Sequence, residues 1–304
     1  MPPAKFFSRV PTTWDLWQRA VEKSTQDHNP HDQQEWSSAS KLRKEEYLVL
    51  RCLWTQYEIE DLPEMLRMFG LREYFNKANK WLRKFPPFQA YLQQVTAGLR
   101  TDKYDPDRPS VGPGPWGTGI FEIPAAEQGR ILSALARQRA DPRKKSKRMI
   151  DEDSVNLGLV AFLIAVASKH PSLRSRWTPH RRPIKAKFGN GAEMEAQVDG
   201  YFGGGGGAHN ISMQETAEVV ALIMTQDVKP KRPIFVISQD GVELYITAAV
   251  FNKTYLSWIK NQREKLPSDS FLQMKQYGPW VLTNADDMEE FAGIALAIML
   301  AVDS

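Results

Sequence analysis

Apolar residues recur at helical spacing through most of the first hundred residues. Trp14, Trp17 and Val21 lie three or four positions apart, and the two threonines before Trp14 are suitable helix caps. A polar link rich in turn-forming residues follows at 25–40, after which the stretches 41–59 and 62–85 keep the same period, with breaks at Gly70 and at Pro86 and Pro87. The pattern therefore predicts a helical N-terminal region.

The second half of the chain alternates between apolar runs and turn signals. A nearly all-apolar helix is predicted within 151–177, and further helices are predicted at 212–226 and 285–302. Extended runs meet at Gly189–Gly191 and again at Gln239–Gly241, which is typical of β-hairpins. This order predicts an α+β or α/β layer structure.

A segment dense in proline and glycine separates these two halves. Residues 101–124 cannot sustain a helix or a strand ladder, and a short helix follows before the next polar run. We therefore expect three parts: a helical N-terminal region over 1–100, a linker with a short helix over 101–149, and a second domain over 150–304.

Positive charge is concentrated at the end of this linker, where seven cations between Arg137 and Arg148 accompany only Asp141. A second basic group follows His180. The candidate nucleic-acid-binding residues are Arg143, Lys144, Lys145, Lys147, Arg148, Arg181 and Arg182. Such a density of positive charge can neutralise phosphates or serve as a nuclear address. The alternatives are a solvated linker for the first group and an exposed loop for the second.

Composition limits the remaining classes. Hydrophobic residues make up 42% of the chain, and no apolar run is long enough to span a bilayer. The start lacks the apolar region of a signal peptide, so we expect an intracellular protein without a membrane partner. The single cysteine, Cys52, excludes cysteine-cluster zinc sites and is expected to be buried. His28 and His31 have no further ligand nearby and are expected in a solvated loop.

Five stretches of the second half follow one another in a recognisable order. They are DEDSVNLGLVAFLIAV, EAQVDGYF, MQETAEVVALI, IFVISQDGVELYITAAVF and FLQMKQYGPWVLTNADDMEEFAGIALAIML. In this order the chain, from about Ile150 to its end, resembles the PD-(D/E)XK nuclease-like domains of fungal proteins. The resemblance implies a restriction-endonuclease-like mixed sheet flanked by helices. The first 135 residues resemble nothing in that family.

The resemblance also implies a magnesium site. Asp199, at the end of the second hairpin strand, would meet a (D/E)xK pair from the next strand, with Glu152 from the first helix and Gln214 facing the site. Phosphodiester hydrolysis requires a hard cation on oxygen ligands and a lysine that stabilises developing charge. Asp199 is equally suited to a turn before glycine, and Glu152 to a helix N-terminus. Ser212 and Glu215 have the spacing of a capping box.

Five consecutive glycines, Gly203–Gly207, occupy the place of the expected (D/E)xK strand. Polyglycine has no side chain to bury and cannot replace a core strand. The run is typical of an engineered deletion bridged by glycine or of a natural glycine loop. A phosphate-binding loop is a third alternative, but such a loop holds one conformation and five glycines are flexible. Asp227 and Lys229 form a literal D-x-K, but a proline follows where the family has a helix, so a polar link is the alternative.

These features predict a nuclease-like protein that binds nucleic acid, with Mg²⁺-dependent hydrolysis implied by the resemblance and impaired in this chain. The alternative is a non-catalytic interaction or scaffold protein that uses a degenerate nuclease fold to bind a protein partner.

Overall fold

The computed structural model describes residues 10–23, 29–99, 118–140, 152–175, 182–198, 211–230, 232–261 and 269–304. The chain divides into two compact units. The first comprises Met1–Tyr57, His180–Val236 and Ile246–Tyr277, and the second comprises Glu58–Pro179, Ile237–Tyr245 and Gly278–Ser304. Each unit draws residues from both sides of the linker predicted at 101–149.

In the first half of the chain the described elements are almost entirely helices, and helices and strands are interleaved after it. In order they are α1 (Trp14–Val21), α2 (Lys44–Val49), β1 (Cys52–Tyr57), α3 (Leu62–Met68), α4 (Arg72–Leu82), α5 (Pro86–Thr96), α6 (Glu122–Ala140), α7 (Glu152–Ala167), β2 (Arg182–Lys187), β3 (Glu193–Val198), α8 (Ile211–Thr225), β4 (Ile234–Asp240), β5 (Glu243–Val250), α9 (Lys253–Lys260), β6 (Leu272–Val281) and α10 (Ala285–Val302). Among the described residues, no helix has the length and apolar character needed to cross a bilayer.

The strands form two sheets. A four-stranded sheet has the order β1-β6-β5-β4, in which β1 runs parallel to β6 with Cys52 opposite Leu272 and Tyr57 opposite Tyr277. Strands β2 and β3 form a separate antiparallel pair in which Arg182 lies opposite Val198. The predicted class, a mixed sheet flanked by helices, is confirmed.

The helical prediction for 41–59 is wrong at its C-terminal end, because Cys52–Tyr57 is strand β1. Cys52 and Trp54 are fully buried, and the intervening Leu53 is not. This alternation has a period of two, and the strand is stabilised by pairing with β6, more than two hundred positions later. Tertiary pairing therefore overrides the local helical period.

Helix α8 forms the centre of the first unit. Its residues from Val219 to Ile223 are at most 1% exposed, and it packs against β2, β3, α2 and α9. Burial on all sides explains why the apolar run in this helix is nearly continuous.

The second unit has its own aromatic core. Phe121 packs against Phe88 and Tyr91 with ring centroids 5.5 and 5.2 Å apart, and Tyr91 packs in turn against Phe162. The Tyr91 hydroxyl donates to Gln128 Oε1 at 2.7 Å, which satisfies the one polar atom of this buried ring. Helix α10 packs on α4, α5 and α7 beside these rings.

Candidate active site

Helix α8 carries three buried polar residues on one side, which we call the acidic stripe: Gln214, Glu215 and Glu218. Their exposed fractions are 8%, 0% and 1%. At 100° per residue the three side chains fall within one face of the helix, with Glu215 and Glu218 one turn apart. Glutamate is rarely buried completely, so two such residues on one helix are the strongest polar anomaly among the described residues.

Each carboxylate of the acidic stripe accepts a hydrogen bond from a neutral donor. Gln214 Nε2 donates to Glu218 Oε1 at 3.0 Å, and Thr247 Oγ1 on β5 donates to Glu215 Oε2 at 3.2 Å. Thr247 is itself fully buried. The two bonds fix the directions of both carboxylates and turn Glu215 toward the four-stranded sheet.

A second polar contact sets the rotation of α8 about its own axis. Trp54 Nε1 on β1 donates to Thr216 Oγ1 at 3.0 Å, and that hydroxyl donates to the Ser212 carbonyl oxygen at 2.7 Å. Cys52 Sγ lies 3.4 Å from the same hydroxyl oxygen. Burial raises the pKa of the Cys52 thiol to about 12, so this is a structural thiol, as expected from its neighbours.

The sheet face beneath α8 is partly polar. Trp54 faces α8, and its register partner Met274 on β6 shares that face, as does Gln276 two residues further along the strand. Gln276 is 6% exposed. Thr247 and Gln276 therefore add a hydroxyl and an amide to the face that α8 covers.

The residues predicted for metal binding are only partly described. Asp199 follows Val198, the last residue of β3, and lies outside the described residues. Glu152 begins α7 in the second unit, and its side chain also lies outside them. Gln214 is buried in the acidic stripe, where it contacts Glu218.

The literal D-x-K pair lies away from the acidic stripe. Asp227 and Lys229 are exposed in the link that follows α8. Helix α8 continues seven residues past Glu218 to Thr225, which is about 10 Å of helix axis at 1.5 Å per residue. The structure thus does not bring this pair together with the buried carboxylates.

Of the predicted phosphate-binding residues, Arg182 begins β2, opposite Val198. The other six lie outside the described residues, as does the glycine run Gly203–Gly207. These six are Arg143, Lys144, Lys145, Lys147, Arg148 and Arg181.

Two local predictions are corrected by the structure. Helix α8 begins at Ile211, so Ser212 lies inside the helix, and Glu215 is a buried stripe residue rather than part of a capping box.

His31, expected in a solvated loop, is 1% exposed. Its Nε2 lies 3.1 Å from the Trp258 carbonyl oxygen, and its Nδ1 accepts from the Gly189 N–H at 2.9 Å. Both nitrogens are therefore structural.

The sequence nonetheless contained a signal for the acidic stripe. Glu215 and Glu218 lie just before the apolar run 219–224, and a helix that carries such a run is buried. Acidic residues in a buried helix face either the protein core or a functional site.

The donor set of the acidic stripe is suited to a hard cation. It offers carboxylate, amide and hydroxyl oxygens, which Mg²⁺ and Mn²⁺ prefer. No group of three His, Cys, Asp or Glu side chains that could hold a metal ion occurs in the described part of the chain. Mg²⁺ in phosphoryl-transfer enzymes commonly uses one or two carboxylates together with substrate phosphates, and two carboxylates satisfy that requirement.

Comparison with known proteins finds no matching family model, no matching curated protein and no matching solved structure. The resemblance to PD-(D/E)XK domains therefore rests on the five sequence stretches alone.

Proposed function

We propose that the protein binds nucleic acid and that the acidic stripe of α8 is its divalent-cation site, of the kind used for phosphodiester hydrolysis. The observation that supports this is the complete burial of Glu215 and Glu218. Removing an ionised carboxylate from water costs several kcal/mol, and apolar residues would fill the same positions without that cost. The stripe is therefore better explained by chemistry than by packing.

The residues of the stripe have distinct roles in this proposal. A bound Mg²⁺ would neutralise phosphate charge and lower the pKa of an attacking water. Glu215 and Glu218 supply its carboxylate ligands. Thr247 and Gln214 hold these carboxylates in fixed directions, which lowers the reorganisation required on binding.

Hydrolysis is expected to be slow relative to binding. The chemistry requires a cationic side chain near the attacking water, and Lys229 lies beyond the far end of α8 with Asp227. We therefore expect metal binding and nucleic-acid binding to be easier to detect than cleavage.

Manganese titration tests the metal site. Mn²⁺ should bind the wild-type chain and raise its thermal midpoint, since a ligand that binds only the folded state stabilises it. Glu215→Gln and Glu218→Gln keep the side-chain shape and should each abolish this shift, while Glu45→Gln, at an exposed position of α2, should leave it intact. Equal Mn²⁺ binding by the wild type and a Glu215→Gln/Glu218→Gln variant would place the metal elsewhere.

The second candidate is a scaffold protein in which the acidic stripe is structural. It is favoured by the neutral donors that already bond both carboxylates, since a hydrogen-bonded carboxyl group can be retained without a metal. This alternative predicts no Mn²⁺ response in the wild type and full partner binding by the glutamine variants.

A further inference from the structure

A basic groove lies at the C-terminal end of α4 in the second unit. It has a volume of about 410 Å³ and is lined by Asn76, Asn79, Lys80, Arg83 and Lys84. We call it the α4 groove. None of its residues belongs to the acidic stripe or to the basic run that the sequence singled out.

The backbone arranges the three cations of the α4 groove along one helical turn. The Arg83 N–H donates to the Asn79 carbonyl oxygen at 3.0 Å, and the Lys84 N–H donates to the Trp81 carbonyl oxygen at 2.9 Å. The helical path thus continues through Lys84. Lys80 and Lys84 are four residues apart, which is about 6 Å along the axis, and both are exposed.

The charge of the groove is only partly compensated. Arg83 Nε lies 3.1 Å from Glu289 Oε1 on α10, and the Arg83 side chain is 71% exposed. A surface ion pair of this kind is worth at most about 1 kcal/mol, so the guanidinium can turn to another anion at little cost. Among the described residues no ion pair involves Lys80 or Lys84.

The wall of the groove is held rigidly. Helix α10 packs on α4 at Gly293, where an added Cβ would lie 2.9 Å from Phe75 Cε2 and overlap the Asn79 amide. This close approach holds Asn79 against α10. The described residues that line the groove all lie on α4 and its continuation to Lys84, so the groove is formed by one helix that packs on α10.

Cations in the last turn of a helix also interact favourably with the helix dipole, so charge alone does not indicate a ligand. The α4 groove has two further features that dipole compensation does not require. It is concave, and two asparagine amides lie among its cations. Amide and basic side chains together are the usual contacts to phosphate and sugar in nucleic-acid complexes.

We propose that the α4 groove binds the phosphate backbone of nucleic acid independently of base sequence. Lys80, Lys84 and Arg83 supply the phosphate contacts, and Asn76 and Asn79 supply hydrogen bonds. An anionic membrane fits less well, because membrane-binding surfaces present apolar side chains for insertion, and the described residues that line this groove are all polar. The choice of nucleic acid as partner rests on the proposed function, but none of the residues is shared with its metal site.

Fluorescence anisotropy with a labelled single strand and a labelled duplex, in EDTA and across a salt series, tests the α4 groove. Lys80→Gln/Lys84→Gln should weaken binding on the order of tenfold or more. It should also flatten the slope of log affinity against log salt by about 0.7 to 0.9 per lost contact. The matched control is Lys41→Gln/Lys44→Gln, which removes the same charge from exposed positions of the first unit and should leave affinity and slope unchanged.

Three results would overturn the proposal. Equal losses in both lysine pairs would mean that net charge alone drives binding, and no loss in the groove variant would mean that the groove is not used. Binding to phosphatidylserine vesicles without binding to either oligonucleotide would identify a membrane surface instead. The metal site is tested by Mn²⁺ stabilisation and the groove by oligonucleotide affinity in EDTA, so failure of the metal site and failure of the groove appear in different measurements.

Discussion

Replacing Thr216 by valine tests how α8 is held on the sheet. The change keeps the branched shape but removes the hydroxyl that accepts from Trp54 Nε1 at 3.0 Å. Trp54 is fully buried, so its N–H would be left without this acceptor in the core. The Ser212 carbonyl oxygen lies inside the helix, where it also accepts a backbone hydrogen bond. The substitution removes only its additional hydrogen bond from the Thr216 hydroxyl.

The magnitude follows mainly from the stranded Trp54 N–H, because the Cys52 thiol, 3.4 Å from the same hydroxyl, is only a weak donor. Leaving a buried donor unsatisfied costs about 1–3 kcal/mol, whereas replacing both partners by apolar groups is close to neutral. We therefore expect Thr216→Val to lower the free energy of unfolding by about 1–3 kcal/mol. In a Trp54→Phe background, where the indole donor is absent, the same substitution should cost less by about 1–2 kcal/mol.

Urea unfolding followed by circular dichroism measures all four members of this double-mutant cycle. Thr216→Ser retains the hydroxyl and should lose only the contribution of a methyl group, about 1 kcal/mol. If Thr216→Val costs the same in both backgrounds, the Trp54–Thr216 bond does not couple α8 to β1, and the account of how the acidic stripe is oriented is wrong.

Two further predictions concern packing and pH. Gly293→Ala should lower the free energy of unfolding by about 1–3 kcal/mol despite alanine's higher helix propensity, because the added Cβ overlaps Asn79 and crowds Phe75. Thermal unfolding measures this loss of stability. A higher thermal midpoint for the variant than for the wild type would contradict the prediction. For Glu46, burial raises the pKa, but hydrogen bonds from the Arg43 side chain and from the backbone of Arg43 and Ser37 outweigh it, so the net pKa is lowered. The stability that ionised Glu46 contributes is present above the unfolded-state pKa of about 4.3 and is lost as pH falls through the lower folded-state pKa. The free energy of unfolding of Glu46→Gln should therefore fall less steeply with decreasing pH than that of the wild type.

The parts of the fold that local chemistry determines were predictable from the sequence. Thr13 caps α1, accepting from the Leu16 N–H at 3.3 Å, as its position before Trp14 predicted. The turn at Gly189–Gly191 joins β2 to β3, and Gly241, with φ of 59°, joins β4 to β5. Each of these features depends on residues within a few positions of one another.

Strands β1 and β6 were missed because their pairing is non-local. The segment from Cys52 to Tyr57 follows a helix and continues its apolar period, and only the partner strand from Leu272 onward decides otherwise. The two compact units each combine separate segments of the chain, an arrangement that also depends on non-local contacts.

The candidate site was predicted in part for a related reason. Gln214 was singled out by resemblance, and it lies in the acidic stripe, but Glu215 beside it was assigned to a helix cap. The start of α8 at Ile211, two residues earlier than the capping signature requires, moves Glu215 from the helix end to the core. A two-residue difference in a helix boundary thus decided whether a carboxylate was interpreted as a cap or as a site residue.

The two proposals make opposite demands on solution conditions, which would separate the contributions of the acidic stripe and the α4 groove in the wild-type chain. Under these proposals, rising monovalent salt would weaken phosphate contacts in the groove, because each contact releases counterions that the salt replaces. Buried carboxylates are screened much less by salt, and the stripe would bind phosphate only through a divalent ion. Binding that falls with salt and is unchanged by EDTA is the signature of the groove acting alone. A component that survives at high salt and disappears with EDTA would belong to the stripe.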